Sequence, residues 1–332
     1  MKGVLPLLFL VLGCGPDLPP VTKIDSLRVL AIRAEPPEVA AGGLVTLTAL
    51  VVDPKLRDVS YTWTACVVPE RGTGFFASGA GGSGASGGGG YGISDAGSCT
   101  AGAGPVLKLG NAPAATLLVP SDFLDDPATI ARAYGFPEGT ALPPPVTAFL
   151  LGTAGVNLTV ALVVTAGDER IESFKRVNVS LSADKNQNPT DLAFHLAPKS
   201  TDTVAPRTGT PPPGGRCILG EDVLPAAVGA GEFTLTAVNV PDPPVTYDVI
   251  VGGESGKALA VVKTEETLFY SFFSTLGSFD EAIVKSTGGG SEVWSLDAGV
   301  TGPVPLWVVV RDGRGGTSWC HSELTVPLVG GQ

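Results

Sequence analysis

Five cysteines, two histidines and a thin scatter of carboxylates are the residues of this 332-residue chain that could do chemistry. The first cysteine, Cys14, closes the stretch MKGVLPLLFLVLGC, in which Lys2 supplies a positive charge, Val4 to Leu12 form an apolar run and Gly13 is small. A basic start and an apolar run ending in a small residue make a secretory signal over residues 1–13, too short to span a bilayer as a stable helix. The other four, Cys66, Cys99, Cys217 and Cys320, are an even number in an exported and oxidising setting, which favours disulfides. Four cysteines allow three pairings. Cys66–Cys99 with Cys217–Cys320 keeps each bridge within one part of the chain and is the expected set. None is spaced C-x₂₋₄-C, so zinc is not expected.

Catalytic constellations are sparse. His195 sits in DLAFHLAP with no G-x-S-x-G nucleophile motif near it. His321 follows Cys320, but adjacent strand residues point to opposite faces, so the two cannot form a thiol–imidazole couple. Asp122, Asp125 and Asp126 cluster and could ligate calcium; the EF-hand spacing is missing, and helix capping with dipole complementarity accounts for them. Glu265-Glu266 and Asp280-Glu281 lack the matching polar cluster a glycosidase pair needs. The glycine-rich tract has no G-K-[ST] ending and is no phosphate cradle. Trp63, Trp294, Trp307 and Trp319 could stack on sugars or fill protein hot spots, but core filling is preferred. The expectation is a non-enzymatic protein with no cofactor.

The elements that would position these residues are mostly strands. Leu27 to Ile32 form one, broken by Pro36-Pro37; Leu44 to Val52 alternate as a half-buried second; 59–68 form a third with Tyr61, Trp63 and Ala65 on one face and Cys66 on the other face or at the strand end. Residues 72–104 hold a Gly/Ser/Ala stretch that cannot build a core and reads as a flexible insertion closed at its base by Cys66 and Cys99, with Phe75, Phe76 and Tyr91 at its margins. PVLKLG and ATLLVP resume the strands. Asp126 as N-cap, Pro127 at the first helical position and Gly135 past the end mark one helix of about two turns, and Pro143-Pro144-Pro145 end that insertion. VNLTVALVVTAGDERIESFKRVNVSL then predicts a hairpin turning at Gly167-Asp168.

Composition agrees. Hydrophobic residues at 44% can fill real cores, and 45 Gly with 29 Pro favour turn-rich β structure. The net charge of −11 leaves no footprint for nucleic acid and would be repelled by anionic lipid head groups. No second apolar stretch approaches 18 residues, so acyl chains would be the only anchor.

The last third replays the first. GEFTLTAVNVPD matches GGLVTLTALVVDP, TLFYSFFSTLGSF stands where VSYTWTAC stood, EVWSLD parallels ATLLVP, and PLWVVVRDGRGGTSWCHSELTVPL parallels the first long hairpin. Four matches in one order indicate a tandem duplication of a β-sandwich unit. The aromatic-rich strand TLFYSFFSTLGSF and the late hairpin LWVVVRDGRGG resemble immunoglobulin-like sandwiches of the PKD type, although the W-x-F-G-D-G signature is absent and Phe272-Phe273 with Gly277 only echo it. LRVLAIRAEPPEVAAGG, NQNPTD and WVVVRDGRGGTSW give a further resemblance, to uncharacterised lipoproteins common in myxobacteria. The resemblance implies an all-β chain of two tandem immunoglobulin-like sandwiches, the first with a Gly-rich loop and a short helical insertion. The expected division is a first sandwich over 27–183, a Pro-rich linker over 184–215, a second sandwich over 216–328 and a tail over 329–332.

Val-Leu-Gly-Cys also resembles the lipobox of bacterial lipoproteins. That likeness implies a thioether-linked diacylglycerol on Cys14, cleavage before it and acylation of the new amino terminus, with 14–26 as a lipidated tether. Gly15 stands where an Asp is the usual inner-membrane retention signal, so outer-membrane residence is expected. The expected role is structural or protein recognition at the envelope, with an envelope protein or glycan as partner. The alternatives are a carbohydrate-binding or adhesion module and, disfavoured, a hydrolase with an unrecognised site.

Overall fold

A computed structural model describes residues 21–66, 106–134, 136–137, 139–190, 193–199, 218–219, 231–237, 244–251 and 260–326. The described chain is mostly strand, with two short helices, and packs around two main hydrophobic cores.

The first core lies between two sheets. One is β1 (Arg28–Glu35), β3 (Leu44–Val52) and β6 (Ala114–Leu118), in the order β1-β3-β6. The other has five strands in the order β2-β8-β7-β4-β5: β2 (Glu38–Val39), β4 (Ser60–Cys66), β5 (Val106–Gly110), β7 (Val156–Ala166) and β8 (Glu169–Val179). The period of two decides which side chains enter the core. In β3, Val45 and Leu47 are buried between exposed Leu44 and Thr46; in β4, Trp63 and Ala65 are buried, with Tyr61 packed behind them. Trp63 keeps its indole N–H satisfied by donating to the Ala112 carbonyl at 2.9 Å.

The second core repeats this arrangement. Its first sheet runs β10-β9-β11-β17-β15, with β9 (Ala193–Pro198), β10 (Ile218–Leu219), β11 (Gly231–Ala237), β15 (Ser278–Phe279) and β17 (Ser291–Leu296). Its second runs β16-β14-β18-β19, with β14 (Phe269–Ser274), β16 (Val284–Lys285), β18 (Gly302–Arg311) and β19 (Thr317–Val326). The order β9-β11-β17 parallels β1-β3-β6, and β14-β18-β19 parallels β4-β7-β8; β1 and β9 lie outside the four matched sequence segments. Aromatics fill the interior: Phe194 meets Tyr270 and Phe272 edge-on at 5.8 Å, and Phe272, Phe279 and Trp294 stack in succession. A separate two-stranded ribbon, β12 (Thr246–Val251) with β13 (Ala260–Glu265), buries Ile250 against the first core.

The helical insertion belongs to the first half alone, between β6 and β7; the equivalent step from β17 to β18 is a short turn. Helix α1 (Pro127–Ala133) starts as the sequence indicates, with the Asp126 carboxylate accepting the Ala128 N–H at 3.1 Å; Gly135 lies outside the described residues. Beyond it stands a second helix, α2 (Pro144–Thr153), where the triple proline was expected to end the insertion. Proline is tolerated in a first helical turn, whose N–H groups have no intrahelical partner, so the run opens a helix that Leu150 and Leu151 tie into the core.

Two expected boundaries move. Residues 21–26 are not a free tether: Thr22 and Ile24 are buried, and Ile24 donates to the Ser274 carbonyl at 2.8 Å while Ser274 donates to that of Thr22 at 3.1 Å. The stretch read as a linker, 184–215, contains β9, whose Phe194 and Leu196 belong to the second core, so that core begins before residue 216. Polarity and proline content argued for a spacer there, but six residues suffice for a strand once a sheet edge receives them.

Candidate functional site

Among the described residues the two cores meet in two ways. An apolar patch joins Ile24, Leu30 and Ala31 to Trp307 and Val309, with Leu50, Val52, Phe273 and Trp319 packed against it. These side chains stand on the strand faces turned away from the main cores. Beside the patch lies a buried polar joint, and its parts come from the two tracts NQNPTD and RDGRGGTSW.

The joint is built on the turn between β18 and β19, residues Asp312 to Gly316. Asp312 is 2% exposed. One carboxylate oxygen accepts the N–H groups of Arg314 at 2.7 Å and Gly316 at 2.9 Å, which closes the turn on itself. The other accepts the Asn186 side-chain amide at 2.8 Å. Gly316 has no room for a side chain: a Cβ there would lie 2.1 Å from Asp312 Oδ2 and 2.8 Å from the Gln187 carbonyl oxygen. Asn188, also buried, bridges β1 and β19. Its amide donates to the Ala34 carbonyl at 2.7 Å and to Glu35 at 2.9 Å, and its oxygen accepts the Thr317 N–H at 2.8 Å.

Charged side chains complete it. Glu38, on β2, accepts from the Ser180 hydroxyl and from the Asn186 N–H at 2.9 Å. Lys175, on β8, is buried and donates to the Gly315 carbonyl and to Thr317 Oγ1, the latter at 2.8 Å. Burial pulls the Lys175 ammonium down to about 8; Asp312 opposes that shift and Arg311 adds to it. Arg311 donates to the Leu30 carbonyl at 2.9 Å. Arg314 lies 3.9 Å from Glu38 and 3.7 Å from Glu266, and its guanidinium covers the Tyr247 ring at 4.5 Å. Burial raises the Glu266 carboxyl, Asp312 raises it further and Arg314 counteracts both.

Chemically, this arrangement holds parts together. Each carboxylate and amide named here faces a partner within the protein. The sequence drew attention to both tracts as landmarks of resemblance but did not place them side by side; Glu38 and Lys175 carried no signal in the sequence.

The other candidates fall elsewhere. Cys14, Cys99 and Cys217 lie outside the described residues, as do Phe75, Phe76, Tyr91 and the glycine-rich tract. Cys66 ends β4 and Cys320 is buried in the second core; neither is a free thiol, and no bridge joins the two. His321 is exposed on the face opposite Cys320 and stacks on its cross-strand neighbour Trp307 at 5.2 Å. The backbone of His195 pairs with Thr236 in the second core's first sheet. Asp122 and Asp125 form a turn leading into α1, where Asp126 caps. Glu281 donates its N–H to the buried Glu292 carboxylate at 2.7 Å, a contact nothing in the sequence flagged. Trp63 and Trp294 are fully buried, Trp307 is buried and Trp319 packs at the apolar patch. No family model and no curated protein matches this sequence.

Proposed function

We propose that this chain is exported, cut before Cys14, lipidated there and held at the outer membrane. In this reading two immunoglobulin-like sandwiches of the PKD type act as one stiff, non-enzymatic module that serves envelope structure or protein recognition. The observation that carries the mechanical part is the buried joint: Asn186 and Asn188 from one tract pair with Asp312 and the Thr317 N–H of the other, and with the Ala34 carbonyl, so bending at this point would expose unpaired donors and acceptors. Burial of three of the four tryptophans favours a structural role over stacking on glycans. The disulfides Cys66–Cys99 and Cys217–Cys320 belong to the same proposal.

Calorimetry of the mature chain tests the module. One cooperative transition is expected, with calorimetric and van't Hoff enthalpies equal; two separated transitions would refute the single stiff unit. Palmitate labelling and membrane fractionation of the wild type beside Cys14→Ala test the anchor, and unchanged membrane association of the variant would refute it. Non-reducing peptide mapping tests the bridges, and a peptide joining Cys66 to either Cys217 or Cys320 would overturn them. Binding on a glycan array would favour the adhesion alternative.

A further inference from the structure

At the end of the molecule where the N-terminal segment enters, a short loop is built to hold one leucine in solvent. β3 ends at Val52, and the chain turns through Asp53-Pro54-Lys55-Leu56-Arg57. The Asp53 carboxylate accepts the N–H groups of Lys55 at 3.3 Å and Arg57 at 3.0 Å, and takes the Arg57 guanidinium through two bonds of 2.9 Å. Leu56 N donates to the Asp53 carbonyl at 3.0 Å. The Arg57 guanidinium holds the Asp53 carboxyl well below the usual carboxylate range. At the tip of this braced turn Leu56 is 91% exposed and, at φ +53°, is the one non-glycine among the described residues with a left-handed backbone. The left-handed backbone is costly for a leucine, and strain of this kind concentrates where a segment is positioned for a task.

The loop is wired to the path of the N-terminal segment. Glu169 accepts from Lys55 Nζ at 2.6 Å, from Arg57 at 2.9 Å and from the backbone N–H of Leu27 at 2.9 Å. Arg28, which pairs with Val52, donates to the Val21 carbonyl. Val21 therefore lies beside the end of β3 that leads into the loop. The chain from Cys14 to Val21 can span at most about 25 Å at full extension.

We infer that Leu56 faces the bilayer and enters its headgroup–acyl boundary when the protein is anchored, with Lys55 beside it at headgroup level. The inference rests on lipidation of Cys14 as proposed above. One leucine cannot hold a protein of this size on a membrane, and here it need not, because the acyl chains do so. Its effect is to fix which end of the fold meets the lipid. Lys55 can extend its ammonium along the surface while Leu56 points inward. Exposed Asp58 and Asp168 flank the loop, so the fit is to a zwitterionic surface rather than an anionic one. Leu44 and Leu118, also apolar and exposed, pair with each other at the far end of β3 and serve as the reference.

The test uses full-length lipidated protein in phosphatidylcholine vesicles. Leu56→Cys and, separately, Leu118→Cys carry an environment-sensitive fluorophore, and protein with no added cysteine gives the background. Both sites are exposed, so labelling leaves the cores intact. The label at position 56 should shift to the blue and be quenched by nitroxide lipid about two-fold or more beyond the label at 118. Equal quenching at the two sites in protein that floats with the vesicles would overturn the orientation and leave the anchor standing. Wild-type protein that carries no acyl label and stays out of the vesicle fraction would overturn both.

Discussion

The long hairpins of the two halves hold equivalent places and end differently. β7 and β8 turn in two residues, Gly167-Asp168, and the Asp168 side chain is 100% exposed. β18 and β19 turn in five, Asp312 to Gly316, and Asp312 is 2% exposed. A two-residue turn leaves almost no backbone polar group without a ladder partner, so it can stand in water and contribute little. A five-residue turn frees several N–H groups that need an acceptor. Asp312 supplies one acceptor to the turn itself and keeps the second oxygen for Asn186, and in this way the loop becomes the joint. The apolar patch beside it contributes area without direction. The polar joint adds direction, since each of its hydrogen bonds sets one donor against one acceptor. A register role is the best-attested use of buried polar groups.

Breaking the joint should have the largest effect. Asp312→Ala leaves the N–H groups of Arg314 and Gly316 and the Asn186 amide without their acceptor, at about 3–4 kcal/mol in total. Urea titration would show the loss as a lower midpoint. A shift below about 1 kcal/mol would mean that water enters and that the joint is not dry.

Lys175 gives the next effect, and its sign is fixed. The folded lysine titrates at about 8 against 10.5 when free. Between those values the unfolded chain holds a proton that the folded chain does not. Wild-type stability should therefore rise with pH across that window, by at most about 3–4 kcal/mol. Lys175→Met should abolish that rise. Parallel stability curves for the two proteins from pH 7.5 to 10.5 would contradict the burial of this ammonium.

A pair of glycines sharpens the comparison. Gly316→Ala drives a methyl group into Asp312 and the Gln187 carbonyl and should cost about 2–3 kcal/mol. Gly167→Ala meets only Arg57 at 3.6 Å, so only its φ of +61° opposes it, and about 1 kcal/mol is expected. Thermal melts of the two variants should rank in that order; equal shifts would erase the distinction between the hairpins. The smallest effect belongs to Asp168→Ala, within about 0.5 kcal/mol of the wild type, as for most exposed surface substitutions. A larger loss there would show that the free turn is not free.

Much of the strand framework was legible because alternation survives in a half-buried strand. Leu44 to Val52 was read with its observed bounds, and Gly167-Asp168 marked its turn. Asp126-Pro127 marked α1 for a local reason, since a cap needs only residues two positions apart. What escaped notice depends on partners far away in the chain. The proline run before α2 reads as a break unless the core that receives Leu150 and Leu151 is known. AFHLAP is too short and too near prolines to stand out until β11 offers it an edge. Thr22 and Ile24 look like tether because their burial comes from Ser274, some 250 positions on.

The sequence by itself determined the β character, the alternation that sorts core from surface and the order in which the strands recur. These are local or periodic properties, and each can be read within one strand or one turn. Only the tertiary structure decided that NQNPTD and RDGRGGTSW meet, that Lys175 and Glu38 lie beneath them, and that the entering segment is clamped next to Leu56. Those facts rest on bonds between residues more than a hundred positions apart, and no local preference of an asparagine or an aspartate names its distant partner.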